Sequence, residues 1–111
     1  MKQLPRSRCA ILPLVLKGKW YDMIASGEKR EEYRDYGAYW ATRLHNFLCR
    51  PGEKIAIVSF SKGYKKADMF FTVNGILNSR DYPYRPLRTE WGEPETPHYA
   101  ILLSERVELI D

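Results

Sequence analysis

Ser26-Gly27-Glu28-Lys29-Arg30-Glu31-Glu32-Tyr33-Arg34-Asp35 decides how this chain folds. The segment is dense in charge and has no apolar face, so hydrophobic periodicity does not say whether it is strand or loop. Its neighbours place it. Upstream, Trp20, Met23 and Ile24 fall at helical spacing over Lys19 to Ser26, and Gly27 stands where a glycine ends a helix. Downstream, Tyr36, Tyr39, Trp40, Arg43, Leu44 and Phe47 share one side of a helix running from about Tyr36 or Ala38 to Leu48. The charged decapeptide therefore connects two helices.

Further out the pattern changes to strands. Cys9 to Leu16 is apolar and branched, and Pro13 inside it predicts an edge position or a bulge. The charged residues 1–8 lead into that strand; the apolar run is too short, and lacks the cleavage pattern, for a signal peptide. Pro51-Gly52 breaks the chain after the second helix. Lys54 to Phe60 alternates apolar residues on both faces, which predicts burial on both sides. Ser61-Lys62-Gly63 supplies a turn, and Asp68 to Leu77 is a further strand in which Asn74-Gly75 marks a hairpin turn or a bulge. Arg80 to Pro97 holds four of the seven prolines and reads as an irregular surface loop, of the kind that often carries function. His98 to Leu103 and Arg106 to Ile110 are two strands or one bent strand. The sum is an α+β fold: a small, mixed, partly closed β-barrel of five or six strands with two N-terminal helices beside it.

With 111 residues, 44% of them hydrophobic, the chain is expected to form one domain over 1–111. Cys9 and Cys49 lack disulfide or zinc spacing and are expected as buried thiols in a reducing, cytoplasmic setting. No apolar run approaches the roughly 20 residues that span a bilayer, so no membrane is expected as a partner. His45 and His98 have no acid or cysteine at ligand spacing, so neither a metal nor another cofactor is expected. The absence of a Walker loop, a dinucleotide fingerprint and a GxSxG elbow leaves nucleotide hydrolysis, redox and esterase chemistry without support. A net charge of +4 is a mild bias towards polyanions.

Gly27-x-Lys29-x-x-Glu32-x-Arg34 resembles the G-x-K-x-x-E-x-R signature of ASCH domains, a branch of the PUA-like superfamily. The likeness extends through Leu14-Val15-Leu16-Lys17, Trp20-Tyr21-Asp22-Met23-Ile24, Glu31-Glu32-Tyr33-Arg34 and Tyr39-Trp40-Ala41-Thr42-Arg43-Leu44, as in the short ASCH proteins of bacteria and their phages. Gly63-Tyr64 and Trp91-Gly92-Glu93-Pro94-Glu95 are weaker echoes. The resemblance implies a PUA-like barrel with a cleft between barrel and helix for RNA or a nucleotide ligand. Some members resemble amidohydrolases acting on acylated cytidine, with a motif lysine, a motif threonine and a distant glutamate as catalytic group. Lys29 matches the lysine, but Glu32 stands at the threonine position, so that hydroxyl is absent.

Two functions follow as expectations. One is RNA or nucleotide binding in a basic cleft around residues 27–34, with Lys29 and Arg34 as phosphate contacts and Tyr36, Tyr39 and Arg43 beside them. Ser61, Lys62 and Tyr64 would form the opposite lip of that cleft. The alternative is a hydrolase acting on a modified nucleoside or on RNA, with Lys29 and Glu32 exchanging a proton. Glu32 has a structural reading too, as the partner that ties Arg34 to the sheet. Aromatics at helical spacing are commonly core, which assigns Trp40 to the interior.

Overall fold

The computed structural model describes residues 1–49 and 52–111. Six strands and two helices run in the order β1 (Lys2–Pro5), β2 (Cys9–Leu16), α1 (Gly18–Ala25), β3 (Glu31–Asp35), α2 (Ala38–Leu48), β4 (Ile55–Lys62), β5 (Met69–Asn78) and β6 (His98–Ile110). The expected α+β class and the two early helices are as observed, while Pro51 lies outside the described residues. Ser61 and Lys62 end β4, so the turn expected at 61–63 begins at Gly63. Of the two alternatives for Asn74-Gly75, the bulge is the one observed: the pair lies inside β5, where the register against β6 shifts between Val73 and Gly75. The last two apolar runs form a single strand, β6.

All six strands join one mixed sheet in the order β1-β6-β5-β4-β2, with β3 also paired to β6. The pairs β1/β6 and β2/β4 are parallel, and the remaining three are antiparallel. β2 is an edge strand, the first of the two alternatives Pro13 left open, because a residue without an N–H is tolerated there. Leu12, Leu14 and Leu16 turn inward from β2 while Pro13 and Val15 face out.

The sheet buries apolar side chains in two clusters. The larger unites Leu12, Leu14 and Leu16 with Ile24 of α1, Leu44 and Phe47 of α2, and Val58, Phe60, Met69, Ile101 and Leu103. The smaller holds Leu4, Cys9, Ile57 and Val107. Adjacent β4 residues thus enter different clusters, which is why that strand reads as apolar on both faces. Leu103 and Val107 also part company. Between the pairs Phe71↔Arg106 and Val73↔Leu103, β6 has one residue more than β5, and this bulge reverses the facing of the residues beyond it.

No ladder joins β2 to β3, so the sheet is open where a closed barrel would have its last seam. The Arg34 guanidinium crosses that seam, donating from one terminal nitrogen to the Val15 carbonyl at 3.3 Å.

Among the described residues no helix is long and apolar enough to cross a membrane. Cys9 is buried, and burial pushes its thiol up; Cys49, expected to be buried, is exposed just past the end of α2.

Candidate functional site

After α1 the chain passes Gly27, whose φ of 85° favours glycine, and the Lys29 N–H donates back to the Met23 carbonyl at 2.9 Å. This tight return feeds Lys29 inward. Its ammonium, 2% exposed, lies 2.9 Å from Glu32 Oε1 and 4.4 Å from the centre of the Trp20 ring. Strand alternation then sets Glu32 and Arg34 on one face of β3. Arg34 reaches Glu32 Oε2 at 2.9 Å, so one buried carboxylate holds two cations. Its remaining chain polarity is spent on the seam, except for Nε, which is buried with no hydrogen-bond partner among the described residues.

Beyond this ion triad, β2, β3 and α2 bound a cleft of about 430 Å³. Pro13, Val15, Asp35, Arg34, Trp40 and Arg43 line it. The two guanidinium groups lie 5.2 Å (Arg34) and 4.9 Å (Arg43) from the centre of the same Trp40 ring. Arg43 also donates to the Tyr39 hydroxyl at 2.9 Å, and among the described residues it has no carboxylate partner. Trp40 is packed against the larger core cluster, as its helical spacing predicted, and also forms part of the cleft wall.

The other expected residues divide. Tyr36, half exposed, stacks on Tyr99 with ring centres 5.5 Å apart and carries the Arg80 guanidinium 5.0 Å from its own centre. Ser61, Lys62 and Tyr64 do not line the cleft. Ser61 is buried, Lys62 pairs with Asp22 of α1 at 3.0 Å, and Tyr64 is fully exposed at the β4–β5 turn. Lys29 and Glu32 likewise lie outside the cleft wall, behind Arg34.

A second polar network escaped the sequence reading. Arg85 donates to both oxygens of Glu93, at 2.8 and 3.1 Å, and bonds Glu31 through its other terminal nitrogen. Glu93 also accepts from the Arg88 N–H at 2.7 Å and meets His98 Nε2 at 2.8 Å. The other ring nitrogen of His98 lies 2.7 Å from the Thr96 carbonyl, an oxygen that only accepts, so Nδ1 carries a proton. These residues pin the 79–97 loop onto β3 and β6, and Arg85, Glu93 and His98 line a cavity of about 320 Å³ beneath it, with Leu77, Tyr82 and Leu87. Gly92 lets the loop touch α1: its φ is 79°, and a Cβ there would meet the Trp20 ring at 2.7 Å. The sequence signal for all this was one proline-rich loop that contains Glu93 and is followed by His98.

Tyr33, on the opposite face of β3 from Glu32, donates to Glu31 at 2.9 Å. Burial, then that hydrogen bond and the charge of Glu31, push its phenol far above the ordinary 10.0. The folded chain therefore keeps a proton that the unfolded chain releases near pH 10, and stability, complete below that pH, falls as pH rises beyond it. Urea unfolding across the alkaline range should show this loss. Tyr33→Phe should flatten it in part, because the Tyr21 phenol, raised by its hydrogen bond to Asp68, contributes with the same sign.

No group of three or more His, Cys, Asp or Glu among the described residues is arranged to hold a metal ion. Fold and site together define an α+β protein with an open six-stranded mixed sheet and a basic, aromatic cleft at the sheet's seam. In comparisons with known proteins, no family model, curated protein or solved structure matches the chain.

Proposed function

We propose that this chain is a PUA-like domain of the ASCH type that binds a phosphate-bearing nucleotide or RNA ligand in the cleft between β2 and β3. The observation that carries the reading is the pair of guanidinium groups on the Trp40 ring, one of them, Arg43, without a carboxylate partner among the described residues. A guanidinium held by aromatic faces keeps its hydrogen-bond donors for an incoming anion, and its planar fork suits a phosphate. Val15 and Pro13 offer an apolar wall opposite. The seam favours the barrel reading too: with Arg34 bridging β2 and β3, the sheet needs only a ladder there to close.

Lys29 and Glu32 receive a positioning role in this proposal. Their charges neutralise each other and fix Arg34, whose guanidinium lines the cleft. The hydrolase alternative uses the same pair, whose 2.9 Å separation permits proton exchange. Its burial behind Arg34 favours anchoring.

Arg43 provides the clean test, since it lines the cleft and satisfies no carboxylate among the described residues. Fluorescence titration of labelled RNA at low salt should give binding that Arg43→Ala weakens roughly tenfold, the loss of one charge-assisted contact. The salt slope should fall by about one in the variant. RNA and nucleotides that fail to bind, or bind the variant equally well, would refute the cleft.

A further inference from the structure

Next to the cleft lies a second pairing of an aromatic ring with an arginine. Arg34 and Tyr99 are register partners in the β3–β6 ladder, so their side chains leave the same face of the sheet. Tyr36 stacks on Tyr99 at an interplanar angle of 26°, and so extends that face beyond the end of β3. Arg80 covers the Tyr36 ring and, among the described residues, has no carboxylate partner. Its place is fixed: the Asn78 side chain accepts the Arg80 N–H at 3.0 Å, and Asn78 is itself the register partner of Tyr99.

Two arginine–aromatic groups thus follow one another, Arg43 with the edge-to-face pair Trp40 and Tyr39, then Arg80 with the stacked pair Tyr36 and Tyr99. Three peptide units separate Tyr36 from Tyr39, which holds their α-carbons within about 11 Å. A single nucleotide has one base and cannot stack at both places. An unpaired strand offers a base and a phosphate to each, whereas a duplex keeps its base faces covered.

We propose that the ligand is an unpaired polynucleotide strand occupying both places in succession, the second formed by Tyr36 and Arg80. The proposal rests on the cleft reading above and adds a subsite to it. Ligand length separates the two in one experiment.

A nucleoside monophosphate, oligomers of increasing length and a duplex are titrated against the full chain, with ribo- and deoxyribo-oligomers in parallel to tell the two sources of such a strand apart. Affinity should rise at least tenfold from the mononucleotide to short single strands. Tyr36→Ala and Arg80→Ala should each weaken the single strand roughly tenfold and leave the mononucleotide unchanged, while Arg43→Ala weakens both. Thermal melting checks that the variants fold, which the exposure of both side chains makes straightforward. A mononucleotide that binds as tightly as the strands, or strands indifferent to both Tyr36→Ala and Arg80→Ala, would overturn the second subsite and leave the cleft standing. Duplex binding equal to single-strand binding overturns it as well. Loss of all binding in the wild type would remove cleft and subsite together.

Discussion

Glu32→Ala is expected to destabilise the chain by about 3–5 kcal/mol, the range seen when one partner of a buried ion pair is removed. Both carboxylate oxygens are engaged, one by Lys29 and one by Arg34, and Lys29 is as buried as Leu14 or Val107 of the core. Without Glu32 the ammonium is left against the Trp20 and Tyr33 rings with no counter-charge. Cation–π attraction, about 2 kcal/mol at most sites that exclude water, does not offset the lost solvation. Urea denaturation measures the change directly. A loss below about 1 kcal/mol would mean that water reaches the ammonium. Glu32→Gln should fall between, since it keeps one acceptor oxygen for one of the two cations.

The second large effect is expected from Glu93→Ala, again about 3 kcal/mol or more. Glu93 gathers an arginine, a backbone N–H and a histidine around one buried carboxylate. Its loss frees the 79–97 loop from the sheet, because Arg85 keeps only Glu31 and the Arg88 N–H loses its acceptor. The two substitutions should differ in kind. Glu32→Ala weakens the seam between β2 and β3 and should lower ligand binding through Arg34, whereas Glu93→Ala loosens the 79–97 loop where it is tied to Arg85 and His98. Limited trypsin digestion separates them: cleavage after Arg88, whose following residue is Thr89, should accelerate under native conditions in Glu93→Ala and stay slow in Glu32→Ala. Equal acceleration in both would show that loop and seam unfold as one unit.

Most elements were legible because their apolar residues repeat at a regular period. Leu44 and Phe47 announced the face of α2, Ile57 to Phe60 a strand buried on both sides, and Pro13 an edge or a bulge. β1 was not legible. It is four residues long with a lysine and a proline, and only Leu4 enters the core. What makes it a strand is a parallel partner more than a hundred residues away, Val107 to Ile110. β3 failed for a different reason: the side chains it buries include Lys29's acceptor Glu32, and a charge that is buried in a pair looks in sequence like a charge in water.

The candidate site shows the same division. Residues 27–34 stood out, and Arg34 and Arg43 do share a cleft, but Lys62 and Tyr64 belong to another part of the surface. Spacing along the chain speaks only for residues a few positions apart. Glu31, Arg85, Glu93 and His98 are brought together by the β3–β6 ladder and the folded loop, and no local pattern records them.

The sequence by itself determined the α+β class, the two early helices and the choice between edge and bulge for β2, and it singled out the charged segment between the helices. Each of these follows from side-chain period or from the covalent limits of proline and glycine, which act locally. Tertiary structure alone decided which charges are buried, that Arg34 spans an open seam, and that Tyr36 and Arg80 stand beside the cleft. Those depend on which strands meet, and strand pairing is chosen by the packing of the whole sheet.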